Sequence, residues 1–220
     1  MAQTMISFPP SGAPRLSDGA RISLDSELDE SRRALELRCA RLESRVSKLK
    51  RLACIDGLTG LANRRYLDRM LRKEIRRACR TRLPLALVIC DVDHFKRFND
   101  RYGHQCGDDA LRLIGDVLSS TVHRAGDVAA RYGGEEFALL LPGTGPMNAL
   151  HFAERLRLSV EKLKFSSRSR EHPESISISL GITTYHSTSP CRPGDIVSAA
   201  DAALYEAKDT GRNCIRYRAT

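Results

Sequence analysis

The sequence predicts an α/β domain entered directly from an N-terminal coiled-coil helix. Three observations point there. Helical and strand periodicities alternate between about residues 64 and 217, a leucine recurs every seven residues from 28 to 49, and no flexible joint separates the two regions. Leu28, Leu35, Leu42 and Leu49 carry the heptad, the spacing of a coiled-coil seam. Their companions three residues earlier are Asp25, Arg32, Cys39 and Val46, so the seam is apolar only in its second half. The coil is therefore expected to be firm over 39–53 and weak before it; a single amphipathic helix packed on its own domain would give the same pattern. Residues 1–23, rich in Ser, Pro and Gly and without periodicity, are expected to be a disordered tail. The boundaries follow as tail 1–23, helical dimerisation segment 24–53, and folded domain 54–220.

Within the domain, Leu67, Met70, Leu71 and Ile75 mark a helix over 64–82. Leu85–Cys90 is an unbroken apolar run after Pro84, which suits a strand buried on both faces. Ala110, Leu111, Ile114, Val117 and Leu118 mark a second helix. Strands over 127–132 and 135–141 flank Gly133-Gly134, a joint that tolerates positive φ and so predicts a tight hairpin. A third helix follows from Ala149, Phe152, Ala153, Leu156 and Val160. Ile176, Ile178, Leu180 and Ile182 alternate as a strand with one buried face. Ile196, Ala199, Ala200, Ala203 and Leu204 mark the last helix, and 214–217 a closing strand.

Composition narrows the function. No apolar run approaches the roughly 20 residues that span a bilayer, and Pro9-Pro10 interrupts the only N-terminal apolar patch, so a cytoplasmic protein without membrane contact is expected. A net charge of +9 invites nucleic acid as a partner, but the basic residues are dispersed over amphipathic helices. With 5% aromatic residues and no Trp there are few stacking platforms, so no nucleic-acid partner is expected. The seven cysteines form no Cys-x-x-Cys pair and are read as small buried residues in a reducing compartment.

Carboxylates fall where strands end. Asp91 closes the buried strand, Asp93 follows, and Glu135 and Glu136 lie just past Gly133-Gly134. If the hairpin pairs beside the central strand, Asp91 and Glu135 meet at one sheet edge, where hard oxygen ligands would suit Mg²⁺ or Mn²⁺ shared with substrate phosphates. Asn99 and Asp108 could read a guanine edge, though a turn residue and a helix cap explain them equally well. Lys208 and Arg212 flank Thr210-Gly211 near a helix C-terminus, where the dipole alone favours cations.

At this point several motifs resemble a known family. Asp127-Val128-Ala129-Ala130-Arg131-Tyr132-Gly133-Gly134-Glu135-Glu136-Phe137 is similar to the signature of GGDEF-domain diguanylate cyclases in its GGEEF form. In order and spacing it is joined by Asp56–Arg65, Asp91–Lys96, Asn99–His104 with Gly107-Asp108, and Ala200–Tyr205 through Gly211-Arg212-Asn213. The resemblance spans about 54–218. It implies a nucleotidyl-cyclase or palm-like domain with a central, mainly antiparallel sheet flanked by helices. It also implies condensation of two GTP to cyclic di-GMP by a homodimer, with Mg²⁺ or Mn²⁺ as cofactor. By the same resemblance, Asp91, Glu135, Glu136 and the Val92 carbonyl would serve the metal, with Asp91, Glu135 and Glu136 as the catalytic set. Asn99 and Asp108 would read guanine. His94 and Phe95 (through their backbone), Lys96, Lys208 and Arg212 would hold phosphates. The Arg124-x-x-Asp127 pair, with Arg155, stands where the family often binds its product as an inhibitor, while His151 replaces a further arginine found in some members. The alternative, a non-catalytic cyclic di-GMP receptor, predicts loss of acidic or base-reading residues, and all of them are present.

Overall fold

A computed structural model of the chain describes residues 32–43, 45, 54–165, 174–187 and 191–220. The chain divides into a unit ending at Leu52 and a unit beginning at Ala53. In the first, residues 32–43 are helical (α1), and Leu35 and Leu42 of the heptad are 63% and 49% exposed. The tail, the heptad positions Asp25, Leu28, Val46 and Leu49, and the junction at 46–53 lie outside the described residues.

The second unit is a six-stranded sheet of order β1-β3-β4-β2-β7-β8. Its strands are β1 (Ala62–Asn63), β2 (Leu85–Val92), β3 (Val128–Gly133), β4 (Glu136–Pro142), β7 (Ile178–Tyr185) and β8 (Ile215–Ala219). The three central pairings are antiparallel; β1 on β3 and β8 on β7 are parallel. The expected mainly antiparallel sheet is the one observed. A separate two-stranded ribbon joins β5 (Lys164–Phe165) and β6 (Glu174–Ser175).

Helices cover both faces of the sheet. On one side β2 presents Ala86, Val88 and Cys90 to Leu111, Ile114 and Leu118 of α4 (His104–Thr121) and to Ala149, Ala153 and Leu156 of α5 (Pro146–Glu161). On the other, Leu85, Leu87 and Ile89 pack on Leu67, Leu71 and Ile75 of α2 (Arg64–Thr81) and on Ile196, Ala200 and Leu204 of α6 (Pro193–Asp209). A strand covered on both faces needs no polar alternation, which is why β2 reads as an apolar run. β7 corrects the one-face expectation: all its residues are buried, with Ser179, Thr183 and Thr184 among them. Its alternation of Ile and Leu with small polar residues reflects a tight helix contact, not solvent.

That contact is set by Gly181. A Cβ there would collide with the Ala200 carbonyl and the Leu204 amide of α6, and would come within 2.8 Å of the Leu204 Cα. Only glycine lets α6 lie this close to the sheet. The sequence reading also missed α3 (Phe95–Tyr102), a short polar helix with one buried residue, and the first turns of α4. Asn99 therefore sits on a helix, not in a turn, and Asp108 lies inside α4 instead of capping it. The cysteine expectation is corrected too: Cys90 is buried, but Cys39 and Cys79 are exposed and the other four partly so. Apolar neighbours in sequence do not place a residue on a buried helical face. Among the described residues no helix is long and apolar enough to cross a membrane.

Because the obstruction at Gly181 is helix backbone, side-chain repacking cannot relieve it. Gly181→Ala is expected to lower the free energy of unfolding by about 3 kcal/mol or more. Urea titration of purified protein checks this, and a loss under about 1 kcal/mol would show that α6 has room to move.

Candidate active site

The parity of β2 places the site. Residues 85, 87, 89 and 91 point to the α6 side, and β4 pairs with β2 so that Asp91 stands opposite Glu136. The two carboxylates therefore share one face at the end of the sheet. The hairpin differs from expectation in one detail. The joint is Gly134-Glu135, because Gly133 still pairs with Glu136 after an irregularity at Arg131/Gly133. Gly134 alone of the pair takes positive φ, +52°. Glu135 thus belongs to the turn, and its carbonyl accepts the Val92 N–H at 3.3 Å. It is Glu136, not Glu135, that faces Asp91 across the ladder.

α6, seated by Gly181, brings its last turn over this edge. Lys208 Nζ lies 2.9 Å from Asp91 Oδ2. Burial raises the Asp91 carboxyl above its ordinary range; Lys208 opposes this, while Glu135 and Asp93 add to it. Glu136 is raised likewise, by burial first and then by Asp91, with Lys208 opposing. Crowded, half-desolvated carboxylates of one sign gain most from an added cation. Among the described residues no three His, Cys, Asp or Glu side chains converge as a ready cage. A magnesium-type ion does not require one, since it keeps water and substrate oxygens in its shell.

Several residues that sequence reasoning left without a role hold this edge in place. Arg131 donates through Nε to the Gly134 carbonyl at 2.9 Å and through Nη1 to Asp56 at 3.2 and 3.4 Å. Asp56 also accepts from the Thr59 backbone at 2.9 Å and its hydroxyl at 2.8 Å. Burial raises the Asp56 carboxyl, but the Thr59 and Arg131 hydrogen bonds outweigh it and hold the group below its usual range. On the flank of the hairpin the Arg64 guanidinium lies 4.3 Å from the centre of the Tyr132 ring. Asp93 is structural: it accepts from Ser177 and Ser179 at 2.6 Å each and from the Asn213 amide at 3.0 Å. Asn213 in turn bonds Arg157 at 2.8 Å and Glu161 at 2.7 Å on α5.

The remaining expected residues lie on α3, α4 and the corner after α6. His94, at φ +54°, begins α3, followed by buried Phe95 and exposed Lys96. Asn99 is half-buried on α3, and Asp108 is exposed on α4. Arg212 is exposed at φ +61° in the corner after α6, where its amide closes a bond to the Ala207 carbonyl at 3.1 Å.

A second constellation lies at the other end of β3. Asp127 donates its amide to the Arg124 carbonyl at 3.0 Å and its Oδ2 accepts from the Arg124 amide at 3.4 Å, closing a tight turn. Arg124 and Asp127 line a cavity of about 350 Å³ with Asn148, His151, Phe152 and Arg155 of α5. Across the turn a cavity of about 150 Å³ is lined by Arg124, Asp127, Arg77 and Glu74. Neither Arg77 nor Glu74 drew attention in the sequence: Arg77 lies on the basic, exposed stripe of an amphipathic helix, and Glu74 on the buried face of the same helix.

The fold and site define an α/β class: a mixed sheet with helices on both faces, paired carboxylates at a glycine hairpin and a lysine above them. The comparisons give the class its family. Residues 53–214 match the family model described as diguanylate cyclase, GGDEF domain, and the chain belongs to that family. It is 38% identical over 164 residues to the response regulator PleD of Caulobacter vibrioides, covering 74% of this chain and 36% of that protein. It is 38% identical over 187 residues to the diguanylate cyclase VdcA of Vibrio cholerae, covering 84% of this chain and 53% of the relative. The chain thus spans between a third and about half of these relatives' length. Among solved structures, the coiled coil and GGDEF domain of DgcB from Caulobacter crescentus, in complex with c-di-GMP, superposes with a TM-score of 0.76 at 33% identity. That match covers 90% of this chain and all of the other.

The raised Glu136 carboxyl gives a signed prediction. Its charge opposes folding above both its folded and its unfolded pKa, and the penalty vanishes below the unfolded value near 4.5. In chelator, Glu136→Gln should therefore melt at or above the temperature of the natural chain at pH 8, with the difference closing toward pH 4.5. Calorimetry across that range checks it; a lower melting temperature at pH 8 would make the charge stabilising and refute the assignment.

Proposed function

We propose that this chain is a metal-dependent diguanylate cyclase that condenses two GTP into cyclic di-GMP and works as a homodimer. The observation that carries the reading is the Asp91–Glu136 pair under Lys208, in a domain whose family and relatives are diguanylate cyclases. Asn99 and Asp108 hold the guanine. Lys208, Arg212, Lys96 and the backbone at His94-Phe95 hold the phosphates, so that the α-phosphorus rests beside the carboxylates. Asp91, Glu135, Glu136 and the Val92 carbonyl would hold Mg²⁺ or Mn²⁺, which when bound neutralises phosphate charge and favours ionisation of an attacking hydroxyl.

Two such sites face each other in the dimer. Each 3′-oxygen forms a bond to the other nucleotide's α-phosphorus, each α–β P–O bond breaks, and two pyrophosphates leave. Glu136 faces the attacking hydroxyl and, with its raised pKa, is suited to take up the proton. The chain's share of catalysis is proximity and prepared charge, with Lys208 and Arg212 meeting the charge that develops on the phosphate oxygens. The segment 24–53 joins the two copies as a coiled coil, consistent with the exposed Leu35 and Leu42 of its helix. The cavity of Arg124, Asp127, Arg155 and His151 takes cyclic di-GMP as an inhibitor, with arginine suited to both phosphate and guanine.

Purified protein freed of bound nucleotide is expected to convert GTP to cyclic di-GMP with Mg²⁺ or Mn²⁺, at a rate per chain that falls on dilution. Asp91→Ala and Glu136→Gln should each lower turnover by about a thousandfold or more, the scale of a principal electrostatic group. Absence of product from the natural chain would favour the receptor reading. Arg124→Ala should raise the cyclic di-GMP concentration that halves the rate by about tenfold or more, with uninhibited turnover unchanged. An unmoved inhibition curve would remove that cavity from the account.

A further inference from the structure

The corner between α3 and α4 contains a contact that bears on base selection. Gly103 serves both helices, ending α3 and starting α4 at φ +84°. Its amide bonds the Asn99 carbonyl at 2.8 Å and its carbonyl accepts the Gly107 amide at 3.2 Å, which folds α4 back against Asn99. At Gly107 a Cβ would overlap Asn99 Oδ1 outright, lie 2.9 Å from Asn99 Cγ, and press on Phe95 Cζ at 3.2 Å. The φ of Gly107 is ordinary, so its need for glycine is steric and is created by the Asn99 amide.

The amide oxygen of Asn99 is buried and has no hydrogen-bond partner. Its position is therefore set by packing against the bare Gly107 backbone and not by a polar anchor. With its oxygen sealed against Gly107, Asn99 can meet a base only through its amide nitrogen, whose direction the buried oxygen fixes. The residue after Gly107 is Asp108, exposed on the same corner. Position 107 thus fixes where the amide lies and directly precedes the carboxylate-bearing residue.

We infer that Gly107 is a specificity-determining positioning residue: its missing side chain seats the Asn99 amide beside Asp108 so that the pair matches guanine. Guanine offers a ring N–H and an exocyclic amine to the carboxylate, and its N3 accepts from the amide nitrogen. Adenine lacks that amine. The inference rests on the base-reading role of Asn99 proposed above, and the test separates the two.

Binding of two unreactive analogues, with a methylene between the α- and β-phosphorus of GTP or of ATP, is measured for Asn99→Ala, Gly107→Ala and the double variant. Asn99→Ala should weaken the guanine analogue about tenfold or more, the scale of losing a base contact, and move the adenine analogue less than about twofold. Gly107→Ala should reproduce both results. The double variant should bind as Asn99→Ala alone, within about twofold, because the amide it would collide with is gone. If Asn99→Ala leaves guanine binding intact, the base-reading role fails and the inference falls with it. If Asn99→Ala weakens binding but Gly107→Ala does not, or if Gly107→Ala weakens both analogues alike, only the positioning role is overturned. Should Gly107→Ala fail to fold, the double variant decides: folding and binding like Asn99→Ala supports the collision, while misfolding places the obstruction at Phe95 and refutes it.

Discussion

The seating of α6 on the sheet at Gly181 is the constraint on which the site depends. Residue 181 of β7 lies beside Ile89 of β2, two residues before Asp91, so the height of α6 above the sheet is set next to the carboxylate edge. A helix rises about 1.5 Å per residue, and from Ala200 and Leu204 the next turn carries Lys208 to Asp91. The turn after that closes on Ala207 and exposes Arg212. One missing Cβ in the core therefore sets the place of the cations. A bulkier residue at 181 would alter the site without touching a polar group.

The same edge sets stability against function. Asp91 and Glu136 are held in a partly desolvated environment that disfavours their charged forms, and Lys208 supplies an opposing charge. Such crowding persists because the surroundings over-determine it. Arg131 ties the hairpin turn to Asp56, and the Asp93–Asn213–Arg157 network ties the end of β2 to β8 and α5. These bonds are charge-assisted and partly buried, the kind that outlasts surface ion pairs. They leave the carboxylates little freedom to separate, which is the condition for charge prepared ahead of reaction.

Much of this was legible in the sequence because the relevant signals are local. β2, the helices of the core and the glycine hairpin follow from apolar runs, periodicity and punctuation, and Asp91 and the Glu135-Glu136 pair follow from strand ends, although the sequence set Glu135 and not Glu136 against Asp91. What was not legible depends on distant pairings. The half-step between a Gly133-Gly134 and a Gly134-Glu135 turn is decided by an irregularity in the β3–β4 ladder. α3 is only eight residues long, and its stripe of Phe95, Phe98 and Tyr102 was not recognised as helical, which made Asn99 look like a turn. The bond of Arg131 to Asp56 spans 75 residues, and that of Asn213 to Asp93 spans 120. No spacing rule reaches across such intervals. The exposed cysteines were misread for the opposite reason, since near neighbours in sequence were taken as near neighbours in space.

The two constellations stand at opposite ends of β3, and this limits how one can act on the other. Six residues of strand separate their ends by about 20 Å. β3 is hydrogen-bonded on both sides, to β1 and to β4, and Val128, Ala129 and Ala130 are buried. A ligand gripped by Arg124 and Asp127 therefore cannot reach the carboxylates, and a paired, packed strand will not shift to carry the message. In the reading proposed above, inhibition must then act on how two copies present their edges to each other. A cyclase whose chemistry needs two half-sites can be stopped by holding whole domains apart while each half-site stays intact. The stiffness that prepares the charge at Asp91 and Glu136 is thus the same property that makes rigid-body control effective.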